Sequence, residues 1–421
     1  MSSATAPAPA RASSGPSTRL GGWLGRFDSP VTTYYLLVCV TVALVVFGLI
    51  MVLSASSIVS IDQTESAYSI FLSQAVFAMI GAVALVIASR VSVPGWKRLA
   101  LPILVVAFVL QLLVLTPMGT AVGGNRNWIR IGPITVQPSE IIKVGLVLTG
   151  GLILAAKRKH LHRFSHVLVP YLVPVAALSI GVVVLGHDLG TVMILGAIVA
   201  GVLFAAGIPL RWFAFAGIPF AAMAIAFVVT SPNRLGRFDV WLGRDTNEFG
   251  AARQPIHGRY ALADGGWFGL GLGASREKWG LLSEPHNDFI FAIIGEELGL
   301  PGTIAILLLL AGLALACYRL VTRTGDPFVR IATAGIMTWL IVQALINIGA
   351  VIGLLPVIGV PLPLVSSGGS SLITSMVALG ILLSFARAEP GCAQALSARP
   401  SALRRSLAVV PGVAWSRRTR P

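Results

Sequence analysis

Runs of about twenty apolar residues, the length that a helix needs to cross a lipid bilayer, recur along most of this chain. Short polar segments separate the runs, so the pattern predicts an all-α polytopic membrane protein of about ten spans. The hydrophobic fraction of 56% and the charged fraction of 11% exclude a single soluble domain. The runs lie near residues 33–55, 69–89, 99–117, 138–156, 167–185, 189–207, 212–230, 288–318, 331–352 and 368–386.

Basic residues in the connecting segments set the expected topology. If the N-terminus lies inside, every inner segment is basic, as the positive-inside rule requires, and both termini are cytoplasmic. This distribution accounts for the net charge of +15 and argues against nucleic-acid binding. We expect a disordered tail at 1–30, a membrane domain at 31–387 and a basic tail at 388–421. The large segment 231–287, between the seventh and eighth spans, is expected to lie outside.

Five of the 16 acidic residues lie in or beside apolar runs, where an ionised group is costly unless it is paired or faces water. They are Glu140, Asp188, Asp288, Glu296 and Glu297. Asp288 ends the stretch PHND at the outer mouth of a span, which suits either catalysis or a helix N-terminal cap. Asp188, in the turn GHDLGT, is expected mainly to cap a helix. One of the two glutamates is expected to pair with a basic loop.

The run 288–318 is too long for one straight crossing at 1.5 Å per residue. The sequence GLPG at 299–302 is expected to break it, because proline is favoured in the first turn of a new helix. We therefore predict a short helix over 288–298 at the outer membrane surface, followed by the span itself.

Several polar groups on the outer side are candidates for binding an anionic substrate. Glu140 and Lys143 share one helix face, and a lysine at that depth needs a carboxylate or phosphate partner unless it snorkels to the surface. Trp128 suits an interfacial aromatic belt as well as a platform for a sugar. Ser370 either caps the last helix or helps to bind an anion at its N-terminus. The basic segment 231–287 is either a solvated loop or a cradle for an anion.

Five motifs occur in the order NRNWIRIGP with QPSEIIK, DLGT, GGWFGLGLGASREKWG, PHNDFIFAIIGEELG and LPVIGVPLPLVSSGGSSL. They closely resemble the SEDS (shape, elongation, division and sporulation) family of membrane proteins over nearly the whole chain between the tails. The resemblance implies a division-type peptidoglycan glycosyltransferase that polymerises lipid II on the outer face of the bacterial cytoplasmic membrane, at the septum. It implies that Asp288 is essential and that Glu140, Lys143 and Trp128 match family site residues.

The chemistry that this resemblance implies sets the expected roles. A β-1,4 product from an α-linked donor requires inversion, with Asp288 as the general base on the acceptor hydroxyl. Lys143, Arg130, Arg253 and Lys278 are expected to stabilise the departing pyrophosphate. The sequence shows no dedicated metal site, so any Mg²⁺ or Mn²⁺ would be bound to the substrate.

The resemblance also implies partners and leaves other functions open. The expected partners are lipid II, a class B penicillin-binding protein transpeptidase and other division proteins, with no nucleic acid. A flippase for the same lipid, a non-catalytic scaffold and an elongation-type polymerase are the alternatives. A flippase needs polar sites near the bilayer midplane, whereas Asp288, Trp128 and the segment 231–287 collect at the outer surface.

Overall fold

The computed structural model describes residue 29 and residues 31–122, 125–132, 134–161, 163, 165–247 and 250–398. Within these ranges, nine helices are long and apolar enough to cross a membrane. The all-α polytopic architecture predicted from the apolar runs is confirmed. The predicted tail at 1–30 lies almost wholly outside the described residues, as do residues 399–421 of the predicted basic tail.

Helices and one small sheet follow each other along the chain. In order they are α1 (Thr32–Thr64), α2 (Ser69–Arg90), α3 (Val93–Val114), β1 (Gly119–Val122), β2 (Asn125–Ile131), β3 (Ile134–Val136), α4 (Pro138–Ala156), α5 (Ser165–Leu185), α6 (Leu189–Ala205), α7 (Leu210–Val229), α8 (Pro232–Trp241), α9 (Arg253–Gly265), α10 (Ile290–Arg323), α11 (Pro327–Val351), α12 (Gly369–Arg387) and α13 (Cys392–Ala398). Within α5, the stretch Leu168–Ala177 is π-helical and contains Pro174, which has no amide hydrogen to donate.

The sixth apolar run forms a shorter helix than the others. Helix α6 has 17 residues and therefore extends about 26 Å, less than the roughly 30 Å of a bilayer's hydrocarbon core. It ends before Gly207, whose φ of 81° a residue with a side chain rarely adopts. Nine spans meet the length criterion among the described residues, and the count of ten stays a prediction.

Helix α10 is broken where the sequence predicts a break. Gly299 has φ 65° and ψ −154°, outside the helical region, and Pro301 follows in the first turn of the second half. The first half differs from the expected surface helix, because Ile290 to Glu297 are all buried. A helix lying on a membrane surface keeps one face exposed, whereas this segment is enclosed by protein.

Two outer segments between the apolar runs contain regular structure. Residues 119–136 form an antiparallel sheet in the order β1-β2-β3. The segment 231–287 contains the helices α8 and α9. Its glycine-rich part packs closely on the break in α10, since a Cβ added to Gly269 would lie 2.3 Å from the carbonyl oxygen of Glu297.

Burial separates inner helices from outer ones. In the most apolar part of each helix, 72% of residues are buried in α4 and in α12 and 67% in α11, against 6% in α7. The exposed side chains of α7 are apolar, and Phe215 and Ile218 are 62% and 69% exposed. Since exposed apolar surface of this extent suits lipid, the polar residues of α4, α11 and α12 form the protein's own interior.

Candidate functional site

Three successive main-chain carbonyls hold the segment that carries Asp288. The carbonyl oxygen of His286 accepts a hydrogen bond from the amide of Ser367 at 2.9 Å, and that of Asn287 accepts one from Oγ of Ser366 at 2.7 Å. The carbonyl oxygen of Asp288 accepts one from Nδ2 of Asn347 at 2.8 Å. These bonds fix the main chain of residues 286–288 and thereby the point from which the Asp288 side chain extends.

The carboxylate of Asp288 does not cap helix α10. The N-cap residue is Phe289, and no side chain makes a capping hydrogen bond there. The helix-cap alternative for Asp288 is therefore wrong. In the part of the chain that the structure describes, neither carboxylate oxygen accepts a hydrogen bond, and the residue lines a small pocket with Asn347, Val357 and Gly359.

The surroundings of Asp288 favour its protonated form. Asp288 precedes the first residue of α10 and so lies outside the membrane-spanning segment. Burial raises the pKa of Asp288 to about 6, with a smaller contribution from the charge of Glu284, and the charge of Arg237 opposes both. A carboxylate with a pKa near neutrality is suited to accept a proton.

An open cavity of about 470 Å³ adjoins the Asp288 pocket. Ala350 and Val357 line both, so the two cavities are neighbours that share part of their lining. Arginines 237, 253 and 259 line the cavity, and no Asp or Glu of the described ranges does. The cavity therefore presents three positive charges with no acid on its wall, which suits an anionic ligand.

Main-chain carbonyls orient these three arginines without neutralising them. Nη1 of Arg237 donates to Val357 O at 3.3 Å, and Nε of Arg259 donates to Pro255 O at 3.3 Å. Arg253 donates from Nε to Leu281 O at 3.0 Å and from Nη2 to Gly280 O. Among the described residues none of the three forms an ion pair with an acid. Their charges and remaining N–H groups are available to a ligand.

Gly359 lies between the acid and the nearest arginine. A Cβ added there would lie 3.5 Å from Oδ2 of Asp288 and 3.9 Å from Nη1 of Arg237. Its φ of 73° is also in the region that residues with side chains rarely adopt. This glycine therefore lets the loop pass between the carboxylate and the guanidinium.

Lys143 is buried in the protein interior and paired there. Its Nζ lies 2.7 Å from Oε1 of Glu140 and 3.2 Å from Oε1 of Gln343, and 4.9 Å from the centre of the Trp339 ring. Lys143 is 2% exposed, which excludes snorkelling. Thr374 donates to the other oxygen of Glu140 at 3.0 Å. The predicted role of Glu140 and Lys143 as direct substrate ligands gains no support from this arrangement.

Asp188 and Ser370 join structural elements at the outer ends of the inner helices. Asp188 caps α6, as predicted, by accepting from the amide of Thr191 at 3.0 Å. Its other oxygen accepts from Nε2 of Gln137 at 3.0 Å. Oγ of Ser370 accepts from the amide of Gln137 at 3.2 Å and donates to the carbonyl oxygen of Thr135 at 3.3 Å. Ser370 therefore attaches α12 to the sheet.

Lys278 and the two glutamates of α10 anchor the outer segment. Nζ of Lys278 lies 3.0 Å from Oε1 of Glu297, and both side chains are buried. Glu296 accepts hydrogen bonds from Oγ of Ser275 at 2.5 Å and from the amide of Arg276 at 2.6 Å. The expected pairing with a basic loop is confirmed, and it involves both glutamates. Lys278 is not among the described residues that line the cavity, and its charge is paired with Glu297.

Trp128 and Arg130 lie on the outward face of strand β2. Alternate residues of a strand point to opposite faces, and Asn127 and Ile129 are buried at 1% and 3% exposure. Trp128 is half-buried and Arg130 is exposed. Neither Trp128 nor Arg130 is among the described residues that line the cavity.

Sequence reasoning missed two polar residues of α11 that belong to the site. Gln343 and Asn347 lie one turn apart on α11 and contact the Lys143 pair and the Asp288 segment respectively. With Trp339 they form a polar stripe at a spacing of four along the outer half of this helix. That spacing was the available signal, because it places all three on one helix face.

The described residues contain no group of three or more His, Cys, Asp or Glu side chains placed to hold a metal ion. Asp288 is the one acid among the described residues that line the pocket beside the cavity, and the arginines nearby repel cations. A metal held by the protein does not fit this site.

A family model described as cell cycle protein, for FtsW, RodA and SpoVE, matches residues 34–390. A probable peptidoglycan glycosyltransferase FtsW of Mycobacterium tuberculosis is 39% identical over 384 residues, which cover 91% of this chain and 72% of the relative. Stage V sporulation protein E of Bacillus subtilis is 35% identical over 353 residues, which cover 84% and 96%.

Solved structures share the fold. The rod shape determining protein RodA of Thermus thermophilus superposes with a TM-score of 0.62 at 23% identity and covers 84% of this chain and 96% of its own. A chain from a peptidoglycan synthase complex, described as coordinating polymerization and crosslinking, superposes with a TM-score of 0.67 at 24% identity. That match covers 84% of this chain and 97% of the other.

Proposed function

The chain belongs to the FtsW/RodA/SpoVE family and is a peptidoglycan glycosyltransferase of the division type, and we propose that its reaction takes place between Asp288 and the three-arginine cavity. The relatives named FtsW favour the division role over the elongation role. The observation that carries the proposal is the placement of a carboxylate with a raised pKa beside a cavity lined by Arg237, Arg253 and Arg259.

The proposed reaction joins two lipid II molecules. Asp288 removes the proton from the 4-hydroxyl of the acceptor sugar as its oxygen forms a bond to C1 of the donor sugar. The bond between C1 and the pyrophosphate oxygen breaks, and its electron pair leaves with the polyprenyl pyrophosphate. One displacement inverts the α-linked donor to a β-1,4 product. The proton remains on Asp288 until solvent removes it.

In the proposed reaction, the arginines of the cavity stabilise the leaving group. Negative charge grows on the bridging oxygen as the bond to C1 breaks, and oriented guanidinium groups stabilise that charge. Their main-chain hydrogen bonds hold them in place before the reaction, so little reorganisation is required. Mg²⁺ or Mn²⁺ bound to the substrate would supply further positive charge to the pyrophosphate.

The proposed partner is a class B penicillin-binding protein, a transpeptidase that crosslinks the new strands, together with other division proteins. A solved structure with this fold comes from a peptidoglycan synthase complex, which supports the pairing. The direct test is to incubate the purified protein in detergent with labelled lipid II, with and without that partner. Glycan strands are expected. If no strands form even with the partner and divalent metal present, the flippase is favoured. A flippase makes no glycan, and in detergent, which has no two sides, it has nothing to transport across.

Neutralising the cavity should weaken polymerisation. We expect the variant Arg237→Gln/Arg253→Gln/Arg259→Gln to lose at least about tenfold in kcat/KM, since a hydrogen bond to a charged group contributes about 1.5–3 kcal/mol. The difference in kcat/KM between this variant and the unchanged protein should narrow as salt rises. Salt screens the attraction between the arginines and the substrate, and only the unchanged protein has these arginines. Glycan formation in detergent at two salt concentrations measures both effects.

A matched control uses two arginines of the same outer segment that do not line the cavity. Arg244 and Arg276 are exposed, and Arg244→Gln/Arg276→Gln removes charge from the same segment. We expect this variant to keep its activity. An equal loss in both variants would show that general charge, and not the cavity, attracts the substrate.

The chain is an integral membrane protein, and we place the cavity on the outer face of the bacterial cytoplasmic membrane with both termini inside. In a background without Cys39, Cys317 and Cys392, the variant Gly250→Cys should react with an impermeant thiol reagent on cells that lack an outer barrier. The variant His160→Cys should react only after the cells are opened. Both positions are exposed in the fold, so access depends on the side of the membrane. The opposite pattern would invert the topology and place the cavity inside.

A further inference from the structure

The side chain of Asn347 joins the Asp288 segment to the loop that faces it. Its Nδ2 donates to the carbonyl oxygen of Asp288 at 2.8 Å and to that of Val360 at 2.8 Å. Asn347 is 3% exposed and lines the pocket that contains Asp288. One amide group therefore joins two separate chain segments that line this pocket.

The orientation of this amide is set by its partners. An amide turned the other way would place its oxygen against two carbonyl oxygens, which offer no hydrogen to accept. In the orientation observed, Oδ1 is buried and has no hydrogen-bond partner among the described residues. A buried acceptor without a partner is unfavourable. The NH₂ group of Asn347, and not its amide oxygen, therefore makes the contacts that matter at this position.

The bond to Asp288 complements the two bonds to the residues before it. Ser366 and Ser367 hold the carbonyls of Asn287 and His286 from the loop after α11, and Asn347 holds Asp288 from α11 itself. The bond to Val360 fixes the same loop one residue after Gly359. Gly359 in turn lies between the Asp288 carboxylate and Arg237.

We propose that Asn347 is a positioning residue, which sets the separation between the Asp288 carboxylate and the wall of the arginine cavity by clamping Asp288 to the loop at Val360. The inference rests on the proposed function, in which Asp288 is the general base. An error of about 1 Å in the placement of a reacting group can cost about a hundredfold in rate, so such a clamp has a measurable effect.

Release of the clamp should also change the titration of Asp288. Among the described residues, the charged groups that act on this carboxylate are Glu284, on the preceding segment, which raises its pKa as burial does, and Arg237 of α8, which lowers it; burial has the largest effect. Without the amide of Asn347, the loop 357–360 can move away from Asp288 and admit water. The pKa of Asp288 should then fall from about 6 towards its ordinary value.

The first test is the variant Asn347→Ala. We expect kcat for glycan formation to fall about 10- to 100-fold with a smaller change in the KM for lipid II. The acid limb of the rate profile, near pH 6 in the unchanged protein, should move to lower pH. Leu345→Ala, on the exposed side of the same helix, is the control that should change neither quantity. A loss of rate with an unmoved acid limb would overturn the proposal.

A second readout does not require the reaction. A carbodiimide labels protonated carboxyl groups, so the labelled fraction of Asp288, measured by peptide mass spectrometry against pH, reports its titration. Asn347→Ala should lower the midpoint of this curve. If the purified chain fails to polymerise lipid II but the midpoint still shifts, the proposed function fails and the clamp stands. An unshifted midpoint removes the clamp whatever the activity.

The third variant separates the clamp from simple packing. Asn347→Leu keeps roughly the size of the side chain and removes both donor hydrogens without burying a charge beside Asp288. The clamp predicts a variant at least as impaired as Asn347→Ala, whereas a packing role predicts nearly normal activity. Nearly normal activity of Asn347→Leu at pH 7 would therefore contradict the proposal.

Discussion

Replacing Asp288 with asparagine should abolish glycan polymerisation while the protein still folds and reaches the membrane. Asparagine keeps the shape of the side chain but cannot take the proton from the acceptor hydroxyl. General-base catalysis contributes about 10²–10⁴-fold to a rate, so the residual activity should lie at or below the limit of a lipid II assay. The measurement is strand formation by purified protein in detergent, with the transpeptidase partner present.

The stability of this variant provides its internal check. Because the pKa of Asp288 is raised in the folded protein, the unfolded chain loses this proton at lower pH than the folded one does. Above about pH 6 the carboxylate is charged in both states, and its burial disfavours the fold. We therefore expect Asp288→Asn to melt at pH 7 no lower than the unchanged protein, as is common where an active site trades stability for function.

The control for Asp288→Asn is Asp245→Asn, which changes a partly exposed acid of the same outer region that is not among the described residues lining the cavity. It should retain full activity. Strand formation at the normal rate by Asp288→Asn would remove this residue as the base. Loss of activity together with a lower melting temperature would instead show a structural defect.

Local features of the sequence predict local features of the fold. The apolar runs give the long helices because a helix satisfies every backbone group in lipid without any neighbour. The break at GLPG follows from proline and glycine chemistry alone, and Gly299 adopts the left-handed φ that it permits. The cap at Asp188 is likewise a contact with Thr191, three residues along the chain. Each of these predictions depends on residues that are close in sequence.

Features that depend on distant contacts could not be predicted in the same way. Arg253 and Lys278 are both basic residues of one outer segment, yet Arg253 lines the cavity and Lys278 is paired with Glu297 of α10. Only the packing of the segment on the break in α10 decides between them. The sheet of residues 119–136 was missed for a related reason, since its strands are short and their pairing adds order that composition does not show.

Replacing Lys143 with methionine should destabilise the protein and thereby inactivate it. The substitution removes the ammonium that lies 2.7 Å from Glu140 and leaves that carboxylate buried at 4% exposure with Thr374 as its remaining donor. Breaking a buried ion pair from one side costs about 3–5 kcal/mol, a large fraction of the stability of most domains. A lower melting temperature in detergent and a lower yield of folded protein are the expected results.

The variant Lys143→Met/Glu140→Gln distinguishes the two roles that Lys143 could have. Glutamine carries no charge and can still accept from Thr374, so the double variant should regain the melting temperature that Lys143→Met loses. If Lys143 acts only through this pair, most of the polymerisation should return with the fold, because the arginine cavity is unchanged. If Lys143 binds pyrophosphate directly, the double variant will be folded but inactive. The burial of both partners, with Gln343 and Trp339 completing the contacts of the ammonium, leads us to expect recovery.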